Sequence, residues 1–193
     1  MKNKNVNKLL FDKFIFYGLH LGGLKSFWNP QMKPYVVGFR NNFCVLNLSL
    51  THRNLRQGFR YLLKILLSKK KILFVGAPKG LEKNFSNLCQ RYGHHYINNY
   101  TDGLFSNFQS NKVLSITSFE NSPSLIFFFD ASIKEKAKKE ILNFNIPIMA
   151  FVNSEDDITG IDYPIPANVN SWKGGIFVYN LFYHLFSFRE KVN

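Results

Sequence analysis

Three short runs constrain this chain most: Ile72-Leu73-Phe74-Val75, Leu125-Ile126-Phe127-Phe128-Phe129 and Ile148-Met149-Ala150-Phe151-Val152. Each is apolar at every position. A strand covered on one face alternates apolar with polar residues, whereas a run apolar throughout is buried on both faces, as central parallel strands are. Around these runs lie segments with helical signals. Gly76-Ala77-Pro78-Lys79-Gly80 turns out of the first run towards a helix over 81–92. Tyr96-Ile97 reads as the next strand, followed by an irregular Gly-centred segment to Phe108. Ser132 and Glu135 have capping-box spacing for a helix reaching Asn143. Asp162–Pro166 reads as extended. Ser171 caps a final helix carrying Ile176, Phe177, Asn180, Leu181, His184, Leu185 and Phe188. The alternation predicts an α/β fold, an open three-layer sandwich with a mostly parallel sheet of flavodoxin or Rossmann type. With 193 residues and no internal repeat or long linker, one domain is expected. Residues 1–42 would form an N-terminal helix and an aromatic arm, and 43–188 the core.

Val6–Tyr17 predicts a short amphipathic helix, with Leu9, Leu10, Phe14 and Tyr17 opposite Lys8, Asp12 and Lys13. Leu19–Arg40 then fits neither helical nor strand periodicity. Prolines and glycines interrupt it, yet it carries Phe27, Trp28, Tyr35 and Phe39, which a solvated linker would lack. Lys25, Lys33 and Arg40 are its only charges. Rings interleaved with cations suit an RNA surface, and they equally suit an arm that seals a hydrophobic core. Pro30 and Pro34 are expected to hold the arm extended. Phe43–Leu48 reads as a strand bounded by Asn41-Asn42. Ser49 or Thr51 is expected to cap a helix running to about Ser68. On that helix Arg53, Arg56, Arg60 and Lys64 fall in one stripe, and Leu55, Phe59, Leu62, Leu63 and Leu66 fall opposite.

The formal net charge is +13, and it is unevenly spread. Residues 1–81 carry fifteen cations and one acidic residue, Asp12, whereas residues 82–193 are close to neutral. A basic half of this kind points to a polyanionic partner. The basic helix stripe contains no acidic residue, as a phosphate-binding ridge would not. Candidate RNA-binding residues are Lys25, Trp28, Asn29, Lys33, Tyr35, Arg40, Arg53, Arg56, Arg60, Lys64 and Lys79.

Catalytic signals are weak. The turn Gly76–Gly80 matches neither of the glycine-rich phosphate fingerprints, GxxxxGK[ST] and GxGxxG. Asp130, Asp156 and Asp157 follow strands, where α/β enzymes place catalytic groups, but no partner base accompanies them. His94-His95 lacks a matching pair for a metal, and His20 reads as a packed loop histidine. Cys44 and Cys89 are too far apart for a zinc pattern and read as buried free thiols. No cofactor, metal, small-molecule substrate or membrane span is expected, and the protein is not expected to be an enzyme.

Trp28-Asn29-Pro30-Gln31-Met32-Lys33-Pro34-Tyr35, preceded by His20-Leu21-Gly22 and followed by Arg40-Asn41, resembles the small-subunit ribosomal protein of the S-two family. The resemblance continues through Lys71–Gly80, Tyr96–Asn99, Gly103–Phe108, Leu125–Asp130, Asn145–Ile148 and Asp162–Asn168. It departs at Ala77-Pro78, at Tyr100-Thr101-Asp102 and at Gly23. It implies a structural constituent of the small ribosomal subunit, a monomer within a large ribonucleoprotein that contacts small-subunit rRNA and neighbouring ribosomal proteins. The family's protruding helical hairpin would be missing or shortened, since Gln109–Ser124 is too short for two such helices. The rival readings are an enzyme on the same fold, of sugar-phosphate isomerase or nucleotide-binding type using Gly76–Gly80, and a free RNA-binding module. Phe, Asn, Lys, Ile and Tyr are over-used, as AT-rich codons specify, and the N-terminus resembles neither signal nor transit peptide. The expected location is therefore the mitochondrial matrix and its ribosome, with the chain organelle-encoded. A plastid or a bacterial cytoplasm is the alternative.

Overall fold

A computed structural model describes residues 2–98, 123–130, 140 and 145–192, with side chains described from Leu9 to Phe188. The Gly-centred segment to Phe108, nearly all of Gln109–Ser124 and the capping box of Ser132 and Glu135 lie outside the described residues.

In chain order the elements are α1 (Lys2–Phe16), β1 (Leu21–Leu24), β2 (Val36–Arg40), β3 (Phe43–Leu46), α2 (Leu48–Leu67), β4 (Leu73–Val75), α3 (Glu82–Arg91), β5 (His95–Ile97), β6 (Ile126–Phe128), β7 (Ile148–Val152), β8 (Tyr163–Pro166) and α4 (Trp172–Val192). The three apolar runs supply the centre of a five-stranded sheet of order β5-β4-β6-β7-β8. Every pair in it is parallel. β5 lies on one side of β4 and β6 on the other, so the strand order reverses between β4 and β6, as in doubly wound folds. β8 pairs only with β7, and an edge strand tolerates Pro164 and Pro166 because fewer ladder bonds are demanded of it.

Alternate residues of these strands face two separate cores. Phe74, Phe127, Met149, Phe151 and Ile165 meet α2, α3, α4 and Phe14 of α1 on one face. Phe182 of α4 sits at the centre of that face, with ring centroids 5.0 Å from Phe127 and 5.4 Å from Phe74, both edge-on. Leu73, Val75, Ile126, Phe128, Ile148, Ala150 and Val152 point the other way, where Met32, Trp28, Tyr35 and Val36 of the arm cover them. The three-layer α/β expectation holds.

The arm departs from the irregular, extended segment expected of it. β1 and β2 flank β3 in a separate antiparallel sheet of order β1-β3-β2. Two 3-10 turns, Lys25–Phe27 and Pro30–Tyr35, join β1 to β2. Pro30 opens the second turn and Pro34 lies within it, so the prolines bend the arm rather than extend it. Strands of four or five residues with irregular register leave no legible period. Asn41 and Asn42, with φ of +48° and +63°, make the two-residue turn between β2 and β3.

One helix start and one helix face also differ from expectation. Asn47, not Ser49 or Thr51, caps α2, its side chain accepting from the Ser49 N–H at 3.0 Å and the Leu50 N–H at 3.4 Å. Thr51 is buried and donates its hydroxyl to the Pro166 carbonyl at 2.5 Å. Ser171 does cap α4, its Oγ accepting from the Gly174 N–H at 3.1 Å. The fully buried stripe of α4 is Val178, Phe182 and Phe186, while Phe188 and His184 are exposed. The helix is apolar on nearly every side, so spacing alone does not choose its inner face.

Candidate nucleic-acid interface

α2 brings the largest group of candidate residues together. Thr51, Gly58, Leu62, Ile65 and Leu66 are its buried side, and Gly58 lets the helix approach the sheet: a Cβ there would lie 3.1 Å from Met149 Sδ. The Asn54 amide donates to the Pro164 carbonyl at 2.9 Å and, with Thr51, ties the helix along β8. Arg53, Arg56, Arg60 and Lys64 stand exposed on the opposite side. No ion pair joins any of these four cations to a described carboxylate. The ridge is long, cationic and fixed to the sheet by its back.

On the arm, Lys25, Lys33 and Arg40 are exposed. Lys25 Nζ lies 5.1 Å from the Phe39 ring centroid. Trp28 and Tyr35 are half-buried and pack on the second core, Trp28 edge-on to Phe39 at 5.6 Å. Asn29 accepts from the Gln31 N–H at 2.9 Å through its side chain, and its own N–H donates to the Ser154 carbonyl at 2.9 Å. The rings and the asparagine thus shape the arm, and its cations remain outermost. Tyr35 and Arg53 line one 220 Å³ pocket with Asn54, Gln57, Asp162 and Tyr163, so the end of the arm meets the start of α2 there. Lys79 stands apart: it is exposed beyond β4, three strand positions from β8, about 14 Å at ordinary strand spacing.

The turn Gly76–Gly80 carries its own anion. Gly76 and Gly80 have φ of +76° and +81°. Glu82 opens α3, and its carboxylate accepts from the Gly80 N–H at 3.0 Å. Its own backbone N–H and that of Gly80 hold this carboxyl below the usual range. Trp172 covers the turn, 2.9 Å from where a side chain at Gly80 would begin, and Pro78 abuts Gly175. A phosphate at this helix N-terminus would have to displace both the carboxylate and the indole.

The loop carboxylates are occupied with backbone. Asp156 accepts from the Asn153 N–H at 2.6 Å, and Asp162 from the Ile148 N–H at 2.8 Å. Asp157 accepts from the N–H and hydroxyl of Thr159, at 2.9 and 2.6 Å. Asp130 follows β6 at the reversal of strand order. Burial lowers the His20 pKa, which keeps the imidazole neutral near pH 7. Cys44 and Cys89 are buried free thiols, and burial pushes Cys89 up to about 12. Among the described residues, no cluster of three His, Cys, Asp or Glu could hold a metal, and no helix is long and apolar enough to cross a membrane.

One surface escaped the reading of the sequence. Phe43 and Leu24 lie side by side on the outer face of the antiparallel sheet, 48% and 39% exposed. The signal was hidden because the inner residues Cys44 and Leu46 are apolar too.

The fold is a doubly wound α/β domain in which Glu82 fills the anion seat at the start of α3 and the cations of α2 are raised on a helix fixed to the sheet. Sequence comparison gives the family. A family model described as Ribosomal protein S2 matches residues 15–113 and 109–184, and the chain belongs to that family. Its role is that of a structural ribosomal protein. Similar proteins include small ribosomal subunit protein uS2 of Ehrlichia canis, 25% identical over 85% of this chain and 70% of the relative. The protein of the same name from Buchnera aphidicola subsp. Schizaphis graminum is 29% identical over 78% of each chain. That of Novosphingobium aromaticivorans is 28% identical over 78% of this chain and 76% of its own length. Against Ehrlichia ruminantium the match spans 66% of the relative's length.

Proposed function

We propose that this chain is built into the small ribosomal subunit by binding small-subunit rRNA, with α2 as the principal phosphate-binding ridge and the arm cations Lys25, Lys33 and Arg40 beside it. One observation carries the reading: Arg53, Arg56, Arg60 and Lys64 project from one face of a helix whose other face is locked to the sheet, with no described carboxylate paired to them. A solvated helix face ordinarily mixes both signs, whereas a phosphate ridge gains from one. Trp28, Asn29 and Tyr35 serve RNA binding by holding the arm in shape, and Lys79 makes a separate contact. Neighbouring small-subunit proteins are the other partners, with the chain present as a single copy in the particle. The protein turns over no substrate, and Asp130→Asn changes assembly or folding only. Codon-driven composition favours an organellar, mitochondrial ribosome, and detection of the protein in purified mitochondria tests that location against a bacterial cytoplasm.

The test of the ridge is a salt series. Arg56→Gln with Arg60→Gln is expected to leave the melting temperature unchanged, because the packed face is untouched. Binding to a small-subunit rRNA transcript should weaken, and the slope of log K against log salt should flatten by roughly 0.7–0.9 for each phosphate left unneutralised. A double variant that keeps the wild-type slope shows an ordinary solvated face.

A further inference from the structure

The outer face of the β1-β3-β2 sheet has a composition its own packing does not require. Register places Phe43 at the centre, directly opposite Leu24 on one neighbour and Arg40 on the other. Val45 follows on the same face, opposite Leu21 and Gly38. Phe43, Leu21 and Leu24 are 48%, 48% and 39% exposed. Residues on the reverse face, Cys44 and Leu46, are buried. The outer face is therefore an apolar platform with an aromatic ring at its middle, and no described element covers it.

Gly38 marks the platform. Its φ lies outside the left-handed region, and a Cβ there would meet nothing within 4 Å. The register of β2 on β3 slips between Val36 and Gly38, and a glycine in a strand often marks such a bulge. The missing side chain leaves the floor beside Val45 open. Charge identifies what approaches. Arg40 is the one charged residue of the three strands on the platform; the Lys25 ammonium lies over the ring of Phe39, which pairs with Cys44 on the reverse face, and the one described carboxylate set against these strands is that of Glu155, at Gly23 of β1. A ring, a flat apolar floor and a cation on a neighbouring strand suit an unpaired nucleotide, whose base has an apolar face and whose phosphate is anionic.

We propose that the outer face of this sheet seats one unpaired rRNA nucleotide, its base on Phe43 over the floor left by Gly38 and its phosphate against Arg40. The inference rests on the rRNA-binding reading above but uses a surface separate from the α2 ridge. The base stacks rather than hydrogen-bonds, so the seat tolerates different bases.

The test uses the full chain, a small-subunit rRNA transcript and two variants. Gly38→Ile fills open space with a residue that favours strands, and it should leave the melting temperature unchanged or raised. Phe43→Ala removes a half-exposed ring. Each is expected to weaken RNA binding on the order of tenfold with an unchanged salt slope, because every cation is kept. Ultraviolet crosslinking of the wild-type complex, read by peptide mass spectrometry, should place an attached nucleotide within the peptide containing Phe43. Full RNA affinity in both folded variants, alongside weakened binding by the α2 double variant, overturns the platform and leaves the ridge standing. Full RNA affinity with loss of assembly into small subunits also overturns it, and gives the face to a neighbouring protein. Absence of any RNA binding by the wild-type chain sinks both readings together.

Discussion

Cys89 shows how much a single buried group tells about use. Its thiol is pushed up to about 12 by burial, from an ordinary value of 9.0, so at neutral pH it is protonated and unreactive. The sign of the stability effect follows. The folded pKa lies above the unfolded one, so the contribution is fully present below about pH 9 and is lost as pH rises towards about 12. Tyr96, also raised, chiefly by burial and then by Cys89, loses its contribution at alkaline pH as well. The denaturation midpoint is expected to fall on titration from pH 8.5 to 10.5, less steeply in Cys89→Ala. Thiol reagents at pH 8 should modify Cys89 only after unfolding. A chain that used this thiol in catalysis would need the opposite environment.

Among the elements, α2 divides its work between its two sides and its start. The sequence made the basic stripe legible, because the two residue classes are cleanly separated at helical spacing. It misplaced the cap by two residues or more. Asn47, Ser49 and Thr51 are all capping types, and only the backbone geometry selects among them: Asn47 alone is extended, with φ of −78° and ψ of 99°, and its oxygen reaches two orphan N–H groups. Asn47→Ala is therefore expected to cost about 1 kcal/mol and Ser49→Ala only a few tenths, read as shifts in urea midpoint. Equal effects at the two positions would place the helix start elsewhere.

Across the molecule as a unit, the arm is a wall of the core as well as a surface. Met32 is completely buried against the second face of the parallel sheet, in company with Trp28 and Tyr35. Gly22 and Gly23 seat the arm on the loop after β7: the Gly23 N–H donates to Ser154 Oγ at 2.8 Å, and a Cβ at Gly22 would fall 2.9 Å from the same oxygen. Met32→Ala is expected to destabilise the entire fold by about 2–5 kcal/mol, with one cooperative denaturant transition by both tryptophan fluorescence and far-ultraviolet circular dichroism. An early, separate loss of the Trp28 signal would show the arm to be an independent flap.

Local spacing along the chain is enough to set the parallel core, the order of its elements, the charge asymmetry and the stripe on α2. These are patterns that such spacing records: runs apolar on both faces, or helices whose two faces differ in kind. Tertiary packing settled what spacing leaves degenerate. The arm alternates too briefly for a period, and its strands exist only because β3 gives both of them a partner. α4 is apolar almost all round, so the sheet selected Val178, Phe182 and Phe186 as its inner stripe. Trp28 and Tyr35 were equally suited to RNA and to a core, and the uncovered second face of the sheet took them. The same packing left Phe43, indistinguishable from its neighbours in the sequence, facing outwards beside Arg40, because a strand pointing Cys44 and Leu46 inwards must turn Phe43 and Val45 the other way.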